Sequence, residues 1–404
     1  MFQDKIFKLK GKVQHYAWGG YDYIPHWLGI ENTEYKPYAE YWMGAHPSAP
    51  ASVCTPNGEL SLNQLIHDHH EKFIGEKVFQ QFGELPFLFK ILDVRDMLSI
   101  QVHPTKAAAE EGFAAEEAAG IKLDSAFRNY KDKNHKPEVM VALSEFWLLH
   151  GFREKDSLKN ILQTVPEFSS LINIYNDGDF KTLSEYGMHM LQHQVNDMLI
   201  PLIQREIKRK QNGELTKADP GWWVSKLYEI KPQEEWGNID RGVFSIYFFN
   251  IVKAEPGEAV FQGAGLPHAY LEGQNVELMA NSDNVLRGGL TTKHVDVGEL
   301  LKHTIFEAVI PNVMKGDKKE NGEINYPCPV PDFGISRIEL NKNNTYQNTA
   351  NSLEIFVTID GSAQINGMSK NLSLKKGKAA IILAGETYHL STEDHALLYK
   401  AFVP

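Results

Sequence analysis

Cysteine is almost absent from this chain, which has only Cys54 and Cys328 among its 404 residues. Two cysteines are too few for a disulfide framework or for a zinc site built from thiolates. Nowhere do about 18 apolar residues run together, and the N-terminal segment lacks the apolar core of a signal peptide. We therefore expect a cytoplasmic protein that does not bind membranes.

Positive charge is also in deficit. Lys and Arg number 41 against 52 Asp and Glu, which gives a formal net charge of −11. A general nucleic-acid binder needs a basic surface, so this class is excluded. A small anionic substrate is still allowed, because a pocket needs only a few local cations. The length is sufficient for two or three domains, each with its own core.

The most informative stretch is Leu98–Lys106, with the sequence Leu-Ser-Ile-Gln-Val-His-Pro-Thr-Lys. In an extended strand, side chains two positions apart share a face. Gln101 and His103 should therefore point the same way, with Ser99 one step behind them. An amide oxygen and an imidazole nitrogen held side by side form half of a metal site.

Two later residues are candidates for the other half. Glu138 opens an apolar run of strand type after Asn-His-Lys-Pro, although by itself it could equally be an exposed acid at a strand end. His268 follows two glycine turns within Lys253–Leu271, which is how a small antiparallel barrel presents a ligand histidine. The stretch after it, Asn275–Gly289, is crowded with polar side chains.

Other histidine groups are interpreted as surface features. The residues His67–His70 on a predicted helix do not all share one face. His189 and His193 have a spacing that suits zinc, but Met190 stands where the metalloprotease pattern needs a glutamate.

The texture of the chain suggests three parts. Residues 1–150 and 235–310 are β-rich, and they include Gly242–Val252, which we predict as a strand. Residues 151–234 have helical spacing and are predicted to be a helical insertion. Residues 311–404 are predicted to form a second barrel, because Ser373–Leu390 echoes Lys253–Leu271. Its lone His389 favours a degenerate module without a metal.

Several motifs together resemble the type I mannose-6-phosphate isomerase family over essentially the whole chain. These are the Leu98–Lys106 stretch, Asn-His-Lys-Pro-Glu, Pro-His-Ala-Tyr-Leu and Glu-Leu-Met-Ala-Asn-Ser-Asp-Asn-Val-Leu-Arg, with Tyr-Ala-Trp-Gly and Glu-Tyr-Trp-Met-Gly near the start. Val102 and Thr105 replace the commoner Ala and Asp of the family, but neither is a proposed ligand.

The resemblance implies a mainly β fold with an α insertion: a cupin-type catalytic barrel, a helical inserted domain and a degenerate cupin-like C-terminal barrel. It implies one Zn²⁺ per chain, with the ligands Gln101, His103, Glu138 and His268. It implies a catalytic group consisting of Arg287, Lys136, Glu277, Asp283 and Lys293. Substrate-binding candidates are Trp18, Glu40, Ser99, Lys90, Lys106 and Tyr270. For Trp18 and Glu40 the residue types alone would also fit core aromatics and turns.

The implied activity interconverts mannose 6-phosphate and fructose 6-phosphate through an enediol, and a monomer is expected. Proton transfer between C1 and C2 needs a base and a cation for the developing oxyanion. The base is left open among Glu277, Asp283 and the pair His135 and Lys136. Two alternatives are a metal-dependent cupin oxygenase and a non-catalytic sugar-binding cupin. Nitrogen and oxygen ligands alone would also accept metals other than zinc.

Overall fold

The structure is a computed structural model, and it describes residues 3–56, 58–176 and 178–404. The strands are β1 (Ile6–Lys10), β2 (Lys12–Gln14), β3 (Glu40–Gly44), β4 (Ser52–Thr55), β5 (Gly58–Ser61), β6 (Phe87–Val94), β7 (Ile100–Val102), β8 (Glu138–Ala142), β9 (Phe146–Phe152), β10 (Phe249–Ala254), β11 (Ala259–Gln262), β12 (His268–Ala280), β13 (Leu286–Gly289), β14 (Asp317–Lys318), β15 (Ile324–Tyr326), β16 (Gly334–Asn341), β17 (Tyr346–Thr349), β18 (Glu354–Gly367), β19 (Asn371–Lys375), β20 (Ala379–Ile382), β21 (Thr387–Ser391) and β22 (His395–Phe402).

The helices lie mainly between the two β-rich parts of the chain. They are α1 (Tyr23–Leu28), α2 (Leu62–Asp68), α3 (His70–Phe73), α4 (Glu76–Phe82), α5 (Lys106–Ala118), α6 (Lys155–Thr164), α7 (Ile172–Tyr175), α8 (Phe180–His189), α9 (Gln192–Gln211), α10 (Pro220–Tyr228), α11 (Gly242–Phe248) and α12 (Val297–His303). In the described part of the chain, no helix combines the length and the apolar character needed to cross a membrane.

Two antiparallel sheets contain the strands, which confirms the mainly β prediction. Sheet I has ten strands in the order β10-β9-β12-β6-β3-β2, with β7, β8, β11 and β13 joined to this path. Sheet II has twelve strands in the order β14-β15-β16-β22-β18-β20-β1-β4-β5, with β17, β19 and β21 joined to it. The antiparallel pairing lets one face of each sheet bury apolar side chains while the other face carries polar ones.

Strand β12 is the centre of sheet I, because its 13 residues pair with four other strands along their length. At its start, His268 lies opposite Gln101 on one side and His150 on the other. Towards its end, Glu277 lies opposite Lys90, and Met279 lies opposite Glu138. The register of β12 therefore brings together residues that are far apart in sequence.

The two sheets share one apolar core. Phe89 and Val276 of sheet I pack in the same buried cluster as Val357 and Ile381 of sheet II. Because burial of such side chains contributes about 1.5–3 kcal/mol each, this shared core ties the C-terminal part of the chain to sheet I.

The N-terminal strand joins the C-terminal part rather than sheet I. Strand β1 pairs with β20 on one side and with β4 on the other. The boundaries 1–150 with 235–310, 151–234 and 311–404 stay a prediction for the domains. The pairing of β1 adds a crossing of the chain that these boundaries did not include.

The internal repeat has a conformational basis. Gly257 and Gly265 before β12 have φ angles of 86° and 77°, and Gly377 and Gly385 before β21 have 74° and 76°. All four turns need the left-handed region, which glycine enters without steric cost. At the same offset, His268 corresponds to Tyr388, so His389 lies one position later and on the opposite, exposed face.

One predicted element is wrong. Gly242–Phe248 forms helix α11, and the strand begins only at Phe249. Six of the seven α11 residues are apolar or glycine, and six are buried, so the helix is buried nearly all round. A short apolar run of this kind has no periodicity that separates a buried helix from a buried strand.

We expect the pairing of β1 in sheet II to contribute strongly to stability. Ile6 is fully buried among C-terminal apolar residues, so Ile6→Ala should lower the free energy of unfolding by about 2–5 kcal/mol. Urea denaturation measures the change. Lys8→Ala on the exposed face of the same strand is the control and should stay within about 0.5 kcal/mol of wild type. Equal, small losses in both variants would contradict the packing of β1.

Candidate metal centre and active site

His103, Glu138 and His268 form a buried cluster in sheet I. Their nearest nitrogen and oxygen atoms all lie within 4.8 Å of one another, and among the described residues this is the one His/Cys/Asp/Glu group with such geometry. Each imidazole Nε2 is 3.4 Å from a different oxygen of the Glu138 carboxylate. The three side chains are the strongest candidates for binding a metal ion.

Backbone carbonyls fix the ring orientation of both histidines. His103 Nδ1 donates to the carbonyl of Asn284 at 3.0 Å, and His268 Nδ1 donates to the carbonyl of Leu266 at 2.9 Å. A carbonyl can only accept, so in the neutral rings the protons lie on Nδ1 and the Nε2 lone pairs are free. Burial lowers the pKa of His103 to about 4, which keeps that ring neutral.

The two Nε2 atoms are buried without a hydrogen-bond partner. In these tautomers they face a carboxylate that also can only accept. Three acceptors that point at one another in a buried place are unfavourable unless a cation lies between them. Imidazole nitrogens and a carboxylate oxygen are ligands that zinc accepts, so the residues fit a metal of this kind.

Lys136 balances part of the charge on Glu138. Its ammonium lies 3.0 Å from Glu138 Oε1. Burial alone would raise the pKa of Glu138, but Lys136 and His103 oppose it and hold that pKa well below its ordinary value. Glu138 is thus ionised, which a metal ligand requires.

A second buried group surrounds Lys90. Its ammonium lies 3.0 Å from Glu277 and 3.5 Å from Glu40. Burial disfavours its charge, but the two carboxylates raise the pKa of Lys90 above its ordinary range. Tyr270 donates to the other oxygen of Glu277 at 2.8 Å, and Trp42 donates to Glu40. Glu277 and Lys90 therefore satisfy each other instead of facing solvent.

A cavity of about 1210 Å³ opens beside these groups. Most predicted site residues line it: Trp18, Glu40, Lys90, Ser99, Gln101, Lys136, Asp283, Arg287 and Lys293. Gln101 lies directly between His268 on β12 and Arg287 on β13, each of which is its register partner. Opposed residues on antiparallel neighbours have Cα atoms about 4.5–5.5 Å apart, so the predicted fourth ligand and Arg287 are near the metal cluster.

Arg287 and Lys293 bring positive charge to the cavity wall. Burial lowers the pKa of Arg287, and among the described residues no carboxylate forms an ion pair with it. Burial and the neighbouring Arg287 lower the pKa of Lys293. Cations without partner carboxylates are available to an anionic ligand.

Three predicted residues are placed differently. Lys106 lies outside this cavity, with its side chain 51% exposed, and it donates to the carbonyl of Lys133. Tyr270 and Glu277 are buried behind the wall rather than on it. His135 turns away from the cavity to pair with Asp332 at 3.0 Å.

Sequence reasoning missed two contributions. Asn284 presents the carbonyl that orients His103, while its side chain donates to the carbonyls of Asp132 and Asn134. It stood in the polar stretch Asn275–Gly289, so its composition was a signal without a role. The helical part was interpreted as core alone, yet it supplies cavity-lining residues, namely Met188, Gln192, Leu227, Tyr228, Lys231, Asn238, Ile239, Asp240 and Arg241.

An antiparallel β fold with a buried His-Glu-His centre beside a cation-bearing cavity defines a class of metal-binding β proteins that act on small anionic molecules. The family model described as "Phosphomannose isomerase type I, catalytic domain" matches residues 6–155. The mannose-6-phosphate isomerase of Escherichia coli strain K12 is 39% identical over 399 residues, which cover 98% of this chain and 99% of the relative. That of Rattus norvegicus is 33% identical, with 99% of both chains covered.

Solved structures agree with these sequence relationships. The crystal structure of an alanine variant of the Salmonella typhimurium phosphomannose isomerase has a TM-score of 0.88 and 35% identity, and covers 99% of this chain and 100% of that one. A zinc-bound holo structure of mannose 6-phosphate isomerase has a TM-score of 0.87, 34% identity and the same coverage. The chain belongs to the type I phosphomannose isomerase family.

Replacing Glu138 should abolish tight metal binding. Glu138→Ala removes the only charged member of the buried cluster, so we expect loss of stoichiometric metal, measured by elemental analysis of the purified protein. His67→Ala, on an exposed helix, is the control and should keep its metal. Stoichiometric metal in the Glu138→Ala protein would remove Glu138 from the ligand set.

Proposed function

We propose that this protein is a metal-dependent aldose–ketose isomerase that interconverts mannose 6-phosphate and fructose 6-phosphate. The observation that carries the proposal is the buried His103–Glu138–His268 cluster, whose two free Nε2 atoms and carboxylate need a cation. Membership of the family supplies the substrate. One Zn²⁺ per chain is the proposed cofactor, with Gln101 as its fourth ligand.

When bound, zinc supplies a Lewis acid that polarises the carbonyl of the sugar. The residues of the chain perform the rest of the proposed chemistry. Arg287 offers a planar guanidinium to the oxyanion that develops as the enediolate forms. Lys293 lies six positions further along the same wall and adds a positive charge for the phosphate group.

The proton-transferring group is proposed to be Lys136 or Asp283. Both line the cavity, whereas the carboxylate oxygens of Glu277 already accept from Tyr270 and Lys90. His135 pairs with Asp332 away from the cavity. The carboxylate of Asp283 is 55% exposed and lies 3.4 Å from His46. The hydrogen bond with His46 lowers the pKa of Asp283, which keeps it ionised and able to accept a proton.

The proposed substrate wall combines aromatic and polar groups. Trp18 and Ser99 line the cavity, and Tyr16 stacks on Trp18 with ring centroids 5.9 Å apart. Lys90 has its charge compensated by Glu277 and Glu40, so we propose that it sets the electrostatics of the wall instead of binding phosphate directly. The monomeric state and the cytoplasmic location stay predictions.

Removal of the metal should abolish isomerase activity. A coupled assay with mannose 6-phosphate should show turnover in zinc-loaded protein, and none after a chelator has removed the metal and been dialysed away. Restoring one equivalent of Zn²⁺ should restore the rate. Undiminished turnover in protein shown by elemental analysis to be metal-free would contradict a metal-dependent reaction, and no turnover in zinc-loaded protein would contradict the substrate assignment.

The role of Arg287 is separable from that of a scaffold residue. We expect Arg287→Ala to fold, to keep its zinc and to bind sugar phosphate within about tenfold of wild type, while kcat falls by about 10²–10³. Arg287→Lys should recover little, since a point charge does not reproduce the planar fork.

Arg153 provides the matched control for this experiment. It is also an arginine whose pKa is lowered by burial, but it donates to the carbonyl of Tyr247 away from the cavity. Arg153→Ala should change stability and leave kcat near wild type. If Arg287→Ala raises KM and leaves kcat unchanged, Arg287 binds substrate and transition state equally and has no catalytic role.

A further inference from the structure

Asp240 links the helical part of the chain to the cavity wall. Its Oδ1 accepts from the backbone N–H groups of Gly242 at 2.6 Å and Leu290 at 2.8 Å. Its Oδ2 accepts from the N–H of Thr291 at 3.1 Å. One carboxylate thus satisfies three backbone donors, two of which belong to the segment just beyond β13. We call this set of three hydrogen bonds the Asp240 clamp.

The clamped segment joins the two cations of the cavity wall. It starts after Arg287 on β13 and ends at Lys293, and every residue from Arg287 to Lys293 lines the cavity. Its backbone is unusual, since Gly289 has a φ of 127° and Leu290 a φ of 53°. A leucine in the left-handed region costs free energy and persists only when its surroundings hold it. The Asp240 clamp bonds the N–H of this leucine.

The two backbones also touch directly. A Cβ atom added to Gly242 would lie 2.6 Å from the nitrogen of Leu290, and one added to Gly289 would lie 2.7 Å from Cα of Gly242. Real Cβ atoms do not approach other atoms so closely. The close approach brings the N–H groups of the segment within reach of Asp240.

Asp240 is itself held by the helices. The N–H of the preceding residue, Ile239, donates to the side chain of Asn196 on α9 at 3.0 Å. The next residues begin α11, which is buried against the rest of the helical part. The clamp therefore transmits the position of the helices to the wall that carries Arg287 and Lys293.

We propose that Asp240 is a positioning residue for the isomerase reaction, which fixes Gly288–Lys293 so that Arg287 and Lys293 face the bound sugar phosphate beside the metal centre. This inference rests on the proposed function. Asp240 touches no reacting atom. It acts through the backbone of the segment between the two cations, and a displacement of about 1 Å there is enough to cost up to about 10²-fold in rate.

The direct test is Asp240→Asn in zinc-loaded full-length protein. The asparagine has the same shape, but its NH₂ group meets at least one backbone N–H where a carboxylate oxygen accepted. We expect kcat/KM for mannose 6-phosphate to fall at least about tenfold, with zinc content unchanged and most of the loss in kcat. Amide hydrogen exchange at Leu290 and Thr291 should become faster.

A matched control separates this effect from general loss of a carboxylate. Asp219 also accepts a backbone N–H, from Thr216 at 2.8 Å, but it lies in the helical part and does not line the cavity. Asp219→Asn should leave kcat and the exchange at Leu290 near wild type. Thermal unfolding of both variants checks that any difference in kcat is not a difference in folding.

A second variant disturbs the same contact from the other side. Gly242→Ala keeps Asp240 but pushes against the nitrogen of Leu290, so it should reproduce the lower kcat and faster exchange. Gly187→Ala on α8 is its control, because the nearest atom to an added Cβ is 3.7 Å away.

Two outcomes overturn the proposal. One is a wild-type kcat in both Asp240→Asn and Gly242→Ala; the other is unchanged exchange at Leu290 and Thr291 in both. If Asp240→Asn does not fold, Gly242→Ala decides. An inactive wild-type protein with zinc bound would instead overturn the proposed function, and exchange at Leu290 and Thr291 would still test the clamp.

Discussion

Three buried acceptor atoms with no proton between them set the main constraint on this structure. The Nε2 atoms of His103 and His268 and the carboxylate of Glu138 converge because their other bonds leave them no alternative. Without a cation, each buried acceptor carries the cost of lost hydration, which is of order 1–3 kcal/mol. Metal binding relieves that cost, so the centre couples metal affinity to the folded state.

The charges around the centre follow from this constraint. Glu40, Glu138 and Glu277 bring three buried carboxylates, while Lys90 and Lys136 bring two ammonium groups. The desolvation of so many charges is expensive, and buried ion pairs are weak evidence for stability. A divalent cation at the centre would change the local balance from negative to positive, which suits a reaction that develops an oxyanion beside a phosphate.

The C-terminal module shows the same scaffold with another set of polar residues. Tyr388 occupies the position that corresponds to His268, and it donates to Glu354. Lys400 lies 2.9 Å from Glu323 and donates to Tyr346 at 2.7 Å. This buried group of lysine, carboxylates and tyrosines resembles Lys90, Glu277 and Tyr270 in sheet I. Every member has a hydrogen-bond partner, so nothing there requires a cation.

Much of the site was predictable from the sequence because its signals are local. The alternation in Leu98–Lys106 selects Gln101 and His103, the glycine turns before β12 select His268, and the start of an apolar strand selects Glu138. Each depends on the period of a strand or on the φ of a turn, which a short segment determines by itself. The mainly β class follows from the same patterns.

The tertiary structure decided what depends on distant partners. The register of β12 determines that Gln101 lies between His268 and Arg287, and burial on all sides determines that Gly242–Phe248 is a helix. Pairing across the chain places β1 in sheet II and brings Asp240 to Leu290. These outcomes depend on long-range packing and hydrogen bonding that no short segment contains, because the free energy that selects them comes from contacts formed only when the whole chain has folded.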